Sequence, residues 1–262
     1  MNDAPVAPSR VFAALLLRDI TVARRELPYF LVRTTLQPLL FVIVFGFLLP
    51  KMGLIPHGYT TTMLPGILAL SLTFSAVQSV ALPMVQDFGW TREIEDRLLS
   101  PVPIELVAIE KIVAGLLQGI VASLFVLPMA RLIMGPIPGL TFSRFGTLLL
   151  VTTLGGAAFS AIGLFLGTAI APQQIGLMFS VILAPMIMFG CTYYPWKGLD
   201  RVPVMKYLVL INPLVYVAEG MRAALTPGVS HMPTIAVFGA LILVTGLFTW
   251  FGLRTFDKRA MS

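Results

Sequence analysis

The sequence predicts an all-α integral membrane protein with about six transmembrane helices. Of the 262 residues, 57% are hydrophobic and only 11% are charged, whereas soluble domains carry about 25% charged residues. The mean hydropathy is +0.91. The apolar residues form continuous runs of about 20 residues, without the alternation that is typical of barrel strands. Because only helices and closed barrels satisfy every backbone polar group in lipid, these continuous runs favour helices.

The whole chain, 1–262, is predicted to be a single transmembrane domain. Each apolar run is long enough to cross a hydrocarbon layer of about 30 Å as a helix. The predicted spans cover residues 30–50, 61–86, 104–130, 145–170, 173–192 and 232–253.

Residues 9–27 precede the first span and predict an amphipathic helix. At about 100° per residue, its apolar side chains fall in one sector. The opposite sector holds the arginines Arg10, Arg18, Arg24 and Arg25. Such a helix lies in the membrane interface with its arginines toward anionic lipid, and a cytosolic helix packed on protein is the alternative. Asp19 falls in the apolar sector, which predicts a buried partner for its carboxylate.

The net charge of +6 comes from basic residues that are scattered between the apolar runs. No basic block indicates nucleic-acid binding, and the charges instead predict a topology in which Lys and Arg concentrate in the cytoplasm. With the N-terminus inside, eleven of the 18 Lys and Arg residues are cytoplasmic, and four of the other seven lie in 193–231. Both termini are therefore expected in the cytoplasm. With one cysteine, Cys191, the chain forms no internal disulfide.

The connection between the second and third spans, 87–103, is rich in charge. Within it Trp90, Ile94 and Leu98 recur every four residues, so residues 91–99 are predicted to form a short amphipathic cytoplasmic helix. A helix of two turns is marginal in isolation and needs a surface on which to dock. Two interpretations stay open from the spacing: a solvated loop helix, or a coupling element that inserts into a cytosolic partner.

Two half-length apolar pieces, 203–211 and 214–225, lie between the fifth and sixth spans. Each is too short to cross a membrane. Pro213 disfavours helical geometry at Asn212, so a turn separates the two pieces. Residues 199–225 are therefore predicted to form a re-entrant helical hairpin that enters from the extracytoplasmic side, with a surface loop as the alternative.

Two charged residues of this hairpin, Glu219 and Arg222, are three apart and face each other on a helix. A lone charge at membrane depth costs about 2.5–3.5 kcal/mol on insertion scales, so we expect them to pair. Tyr193, Tyr194 and Trp196 precede the hairpin and indicate an interfacial aromatic cluster.

The sequence lacks the patterns of a phosphate-binding loop, a metal site and a proton-transfer carboxylate within a span. A phosphate-binding loop requires a lysine after a glycine, and none of the five lysines follows one. Neither histidine, His57 or His231, has metal-ligand spacing, and no metal site is predicted. Glu105 and Glu110 lie in the first turns of the third span, and no carboxylate lies at mid-span, which weakens a proton-coupled mechanism.

Glycines at GxxxG spacing occur in the third span, at Gly115 and Gly119, and in the fourth, at Gly163 and Gly167. Such pairs permit close approach of two helices. With 22 glycines in the chain, chance spacing is the alternative.

The chain resembles the membrane subunit of an ATP-binding-cassette exporter of the type-2 class, which includes drug, lipo-oligosaccharide and polysaccharide exporters. The resemblance covers essentially the whole chain. Its most specific pieces are RLLSPVP at 97–103, FGCTYYP at 189–195, NPLVY at 212–216 and EGMR at 219–222.

This resemblance implies a homodimer in a bacterial cytoplasmic (inner) membrane, surrounded by membrane lipid and driven by two copies of a separate ATPase subunit. ATP and Mg would bind that partner, so this chain would hold no cofactor and no catalytic residue. Coupling to the ATPase is implied for Thr91, Arg92, Glu93, Ile94, Glu95, Asp96, Arg97 and Leu98. The translocation pathway and dimer interface are implied at Ser71, Phe74, Ser75, Gln78, Phe179, Ile182 and Met186, and the re-entrant hairpin at Asn212, Pro213, Glu219 and Arg222.

The leading functional hypothesis is a permease that exports an amphipathic or lipid-linked substrate with ATP hydrolysed by a partner. A self-contained channel or secondary transporter without an ATPase is the alternative, and a membrane scaffold is a third. The pathway residues suit a drug, a lipid or a lipid-linked glycan equally well. They also do not distinguish a homodimer from a heterodimer with a related permease.

Overall fold

The computed structural model describes residues 8–56, 58–88, 103–137 and 139–260. All regular structure in these ranges is helical. In chain order the longer described helices are α1 (Pro8–Arg25), α2 (Leu27–Lys51), α3 (Tyr59–Gln86), α4 (Ile104–Met134), α5 (Phe145–Ala169), α6 (Pro172–Met188), α7 (Pro203–Ile211), α8 (Pro213–Leu225) and α9 (Thr234–Ala260). A short 3₁₀ helix, Trp196–Arg201, precedes α7.

Among the described residues, five helices are long and apolar enough to cross a membrane: α2, α3, α4, α5 and α9. The count rises to six if the bent pair of α7 and α8 is one span. The all-α class with five to six spans confirms the coarse prediction. The predicted fifth span, 173–192, corresponds to the shorter helix α6, which ends at Met188. At 1.5 Å per residue α6 is about 25 Å long, slightly less than a hydrocarbon layer.

Helix α3 is the centre of the molecule, with 78% of its most apolar window buried. The GxxxG glycines of α4 and α5 both pack against it. A Cβ added at Gly119 of α4 would lie 2.7 Å from the Leu72 carbonyl oxygen, and one at Gly163 of α5 would lie 2.8 Å from that of Val77. Both motifs therefore serve close helix packing, because only glycine lets the backbones approach this far.

Two of the apolar helices contain a π-helical segment. In α2 it covers Val42–Leu48, and in α6 it covers Met178–Leu183. Only 28% of the apolar window of α2 is buried, so this helix lies at the periphery of the protomer. Several large apolar side chains of α6 are likewise exposed, including Val181 at 66%. Single π turns within α-helices are found frequently at functional sites.

The N-terminal helix α1 packs on the bundle through an ion pair that explains its acidic residue. The Lys111 ammonium of α4 is buried and donates to the Asp19 carboxylate of α1. Asp19 thus has the partner that its place in the apolar sector predicts. The arginines Arg18, Arg24 and Arg25 are exposed. This arrangement positions α1 beside the first turns of α4, next to the region where the charged 87–103 connection begins and ends.

Candidate translocation site

The predicted pathway residues of the second span lie on α3. Ser71, Ser75 and Gln78 are buried inside the protomer. The Ser75 hydroxyl donates to the carbonyl oxygen of Gln118 in α4 at 3.5 Å. Phe74 is only partly buried. Three of these four side chains therefore face neighbouring helices of the same chain, and Phe74 is the one that reaches the edge of the bundle.

The predicted pathway residues of the fifth span lie on α6 and are more open. Phe179 and Met186 are partly buried, and Ile182 is 39% exposed. The Phe179 ring meets the edge of the Phe74 ring at a centroid distance of 6.3 Å. The structure thus brings the two predicted sets together at this aromatic pair and leaves the face of α6 accessible.

An apolar groove runs between the end of α6 and helix α7. Its volume is about 430 Å³. The lining residues are Pro185, Met186, Phe189, Met205, Leu208, Val209, Ile211, Asn212 and Pro213. Volume and lining are in the range of sites for small apolar ligands. The pathway residue Met186 belongs both to the α6 face and to this groove.

Helices α7 and α8 form a bent pair, with an angle of 100° at Asn212. The backbone of Asn212 is extended (φ −83°, ψ 114°), as the following Pro213 predicts. The Asn212 side chain accepts from the Leu214 amide at 3.0 Å and donates to the Met186 carbonyl at 2.7 Å. One side chain thus caps α8 and attaches the bend to α6. The two pieces bend at a right angle and are not stacked antiparallel.

The predicted pair of Glu219 and Arg222 lies fully buried in α8. Its Oε1···Nη1 distance is 2.5 Å. The second carboxylate oxygen accepts from the Met232 amide at 2.7 Å, and the first also accepts from the Trp196 amide at 2.8 Å. The Glu219 carboxylate therefore accepts three hydrogen bonds, each from a different part of the chain. Together they compensate for the burial of its charge.

The guanidinium of Arg222 extends the same network to α3. Its Nε donates to the Thr62 carbonyl at 3.3 Å, and its Nη2 donates to the Cys191 carbonyl at 3.0 Å. Four segments thus meet at one ion pair: α8, the start of α3, residues 191–196 and Met232, two residues before α9. We call these connected residues the Glu219–Arg222 clamp.

Residues 190–193 cross α3 at very short range. A Cβ at Gly66 would lie 1.9 Å from the Thr192 carbonyl oxygen. Cys191 has φ +52°, a left-handed conformation that a non-glycine residue rarely adopts. Its carbonyl is the one that receives Arg222. The clamp therefore holds a strained backbone turn in place, as is common at functional sites.

Tyr193, from the predicted interfacial cluster, contacts two other segments of the bundle. Its ring packs on Phe41 and Phe45 of α2, at centroid distances of 4.9 and 5.7 Å. Its carbonyl accepts from the Tyr59 hydroxyl at 2.6 Å. Burial raises the pKa of the Tyr193 hydroxyl, which stays protonated at neutral pH. Trp196, in contrast, lies under the Lys206 ammonium, 4.5 Å from its ring centre.

The predicted coupling helix, 91–99, lies outside the described residues. Its eight site residues, Thr91 to Leu98, therefore have no structural placement. Within the described ranges no group of three His, Cys, Asp or Glu side chains lies close enough to hold a metal ion.

Sequence reasoning found the Glu219–Arg222 pair but not the rest of the clamp. Its other contacts are backbone groups, of Thr62, Cys191, Trp196 and Met232, and a backbone group carries no residue-type signal. The only signal available was that two charges at membrane depth need more partners than each other.

In comparison with known proteins, the chain matches one protein family. Residues 10–226 match the family described as ABC-2 type transporter. The inner membrane transport permease YadH of Escherichia coli (strain K12) is 28% identical over 217 residues, which cover 78% of this chain and 78% of the relative. Proteins of the same description and identity occur in Escherichia coli O157:H7 and Shigella flexneri. The family match extends over well more than half of the sequence, and the chain belongs to the ABC-2 type transporters as a membrane permease subunit.

Proposed function

We propose that this chain is the permease subunit of an exporter, which moves an amphipathic or lipid-linked substrate outward with ATP hydrolysed by a separate partner ATPase. The observation that carries the proposal is the open apolar face of α6, which continues into the groove beside α7. A single protomer leaves this face uncovered. A second copy placed against it would enclose an apolar conduit between two protomers.

The burial pattern refines where that second copy binds. Because Ser71, Ser75 and Gln78 are covered by helices of their own chain, α3 contributes little surface beyond Phe74. We propose that α6, with Ile182 at its exposed face, provides the larger part of the dimer contact. The π segment of α6 supports this assignment, since such segments recur at functional positions.

The membrane of residence and the orientation are part of the proposal. The relatives in Escherichia coli and Shigella are described as inner membrane permeases, and we assign this chain to the same kind of membrane. The Lys and Arg bias then places both termini in the cytoplasm and the α7–α8 pair outside. In that orientation the Glu219–Arg222 clamp lies at the extracytoplasmic end, where it holds the outer ends of α3, α6 and α8 together as a closed exit.

The deciding experiment is ATP hydrolysis by the reconstituted complex. The chain would be co-purified with a candidate cassette ATPase and placed in lipid vesicles with candidate amphipathic substrates. We expect substrate to stimulate hydrolysis, and ATP to be required for substrate movement. The control is the same complex with an ATPase that binds but does not hydrolyse ATP.

Transport by the chain alone, driven by an ion gradient and insensitive to ATP, would instead support the self-contained carrier. The described residues supply few groups for that mechanism. The buried carboxylates Glu110 and Asp87 lie at the ends of α4 and α3 and not at mid-span, and the third, Glu219, is already paired with Arg222.

A further inference from the structure

A second cavity, at the opposite end of the bundle from the clamp, has a different chemistry. Its volume is about 400 Å³. It is enclosed by α1 and the start of α2 on one side and by the end of α3 and the first turns of α4 on the other. Along α3 the lining extends from Asp87 back to Ser79, a rise of about 12 Å. The Lys and Arg bias predicts that this end faces the cytoplasm.

The cavity is charged but electrically balanced. Its lining contains three cationic and three acidic side chains: Arg18, Arg33, Lys111, Asp19, Glu26 and Asp87. Lys111 and Asp19 pair with each other across the floor. A net charge of zero in a lining this polar disfavours a simple anion or a simple cation, because either would meet as much repulsion as attraction. It suits a ligand that carries both charges.

The start of α2, together with Glu26 directly before it, offers a cation and an anion at the same time. Glu26 and Arg33 are seven residues apart, two helical turns, and therefore point to the same side. Both line the cavity and both are exposed, and neither side chain has a hydrogen bond or ion pair within the described ranges. Between them lie Tyr29 and Phe30, which also line the cavity. The spacing places an aromatic surface between the two charges.

A buried hydroxyl adds an unused polar group deeper in the cavity. The Ser79 Oγ is shielded from solvent and has no hydrogen-bond partner among the described residues. Buried polar atoms are normally satisfied, so such an atom beside a cavity indicates a missing partner. The apolar wall, formed by Val22, Leu82 and Pro83, suits hydrocarbon next to a polar head.

We propose that this cavity binds the zwitterionic headgroup of a cytoplasmic-leaflet phospholipid, with the phosphate at Arg33 and a primary ammonium at Glu26. The acyl chains leave along the exposed side of α2, which is lipid-facing where Val32 and Leu36 are 64% and 56% exposed. A primary ammonium donates hydrogen bonds to a carboxylate, whereas a quaternary ammonium does not, so phosphatidylethanolamine is favoured over phosphatidylcholine. The site is separate from the α6 face, and only its assignment to the cytoplasmic leaflet rests on the orientation given in the proposed function.

The test is lipid binding to the full chain, purified in detergent, delipidated and titrated while native mass spectrometry counts bound lipids. We expect wild type to bind phosphatidylethanolamine at least ~10-fold more tightly than phosphatidylglycerol. Arg33→Gln should weaken phosphatidylethanolamine binding by ~10-fold. The matched control is Arg24→Gln, which removes an exposed arginine of α1 that does not line the cavity and should leave binding unchanged.

The variant Glu26→Gln makes the test independent of folding. It removes the anionic half of the site, so phosphatidylethanolamine binding should fall while phosphatidylglycerol binding rises, an inversion that a misfolded protein would not show. Soluble glycerophosphoethanolamine separates a lipid from a free headgroup and should bind ~100-fold more weakly than the lipid. Equal binding of both lipids to wild type, unchanged preference in Glu26→Gln, or equally tight binding of the soluble headgroup would each overturn the proposal.

Discussion

Glu219 and Arg222 are the residues on which most of the clamp end of the bundle depends. Both are fully buried, and together they form hydrogen bonds with four backbone groups in three other segments. Removal of one member leaves the other as an uncompensated buried charge, which typically costs about 3–5 kcal/mol. An exposed pair contributes only about 0–1 kcal/mol, because water screens it.

Substitution Glu219→Gln should therefore lower the stability of the detergent-purified protein by about 3–5 kcal/mol, measured as a shift of its thermal unfolding midpoint. The control is Asp200→Asn, which breaks a carboxylate–ammonium ion pair with Lys206 that has a 2.7 Å contact and an exposed carboxylate. We expect a shift of at most about 1 kcal/mol there. Equal effects of the two substitutions would show that the clamp contributes no more than a surface pair.

Gly66 is the residue that lets the 190–193 turn cross α3. Gly66→Ala would place a Cβ 1.9 Å from the Thr192 carbonyl oxygen, and backbone must move to relieve that contact. We expect a loss of about 1–3 kcal/mol in thermal stability and weaker assembly of the clamp. Gly246→Ala in α9, where an added Cβ meets nothing within 4 Å, should instead be neutral or stabilising by up to about 1 kcal/mol. A Gly66→Ala protein as stable as wild type would exclude a tight crossing.

At the scale of elements, the helices differ in the interactions that attach them to the bundle. Helix α3 is held by glycine contacts from both sides, whereas α6 and α7 present apolar surface outward. Helix α1 is held to α4 by the Asp19–Lys111 ion pair. An exporter must carry the motion of its ATPase into these spans through a cytosolic element, and residues 91–99 remain our candidate for it.

The coupling prediction rests on the apolar face of Trp90, Ile94 and Leu98. Buried apolar anchors supply most of the affinity of an interface, while charges on its rim tune specificity and rate. Ile94→Asp should therefore prevent co-purification of the ATPase and stop ATP-driven transport, since it buries an unpaired charge. Glu93→Ala removes only an exposed charge and should change affinity by about 0–1 kcal/mol. Normal assembly and transport by Ile94→Asp would reduce this segment to a solvated loop.

At the scale of the whole molecule, the parity of the spans decides where the termini lie. If α6 crosses the membrane and the α7–α8 pair does not, the chain has six spans and both termini lie on the same side. With an odd number of spans the termini lie on opposite sides. The native cysteine, Cys191, is fully buried and sits beneath the clamp, so it provides a silent background for labelling with impermeant thiol reagents.

Ser230→Cys introduces a thiol at an exposed position between α8 and α9. In intact cells it should react with a membrane-impermeant maleimide, because the Lys and Arg bias places this loop outside. Lys258→Cys, exposed near the end of α9, should react only after the membrane is permeabilised. The reverse pattern would invert the orientation, and labelling of both in intact cells would mean that α9 does not cross the membrane.

A dimer that closes the α6 face predicts proximity of two copies of Ile182. Ile182→Cys should form a covalent dimer with a short bifunctional maleimide in membranes, because the side chain is 39% exposed on that face. Leu243→Cys, which is 70% exposed on α9, tests another exposed surface and should stay monomeric. Crosslinking through Leu243→Cys alone would move the interface to α9.

The sequence by itself determined the features that depend on local chemistry. Continuous apolar runs predict lipid-spanning helices, Pro213 sets the extended geometry of Asn212, and the i, i+3 spacing pairs Glu219 with Arg222. The position of Asp19 in the apolar sector of α1 also predicts a buried partner, because a buried carboxylate requires one.

Only the tertiary structure decided which chain segments meet. It identified Lys111 as the partner of Asp19, placed α3 at the centre, where most of the predicted pathway residues of the second span are buried, and bent α7 and α8 by 100°. It also joined the clamp to the backbone of Thr62 and Cys191. These contacts depend on how helices far apart in the chain approach one another. In lipid, apolar residues lack a preference for protein over acyl chains, so hydropathy marks the helices but not their neighbours.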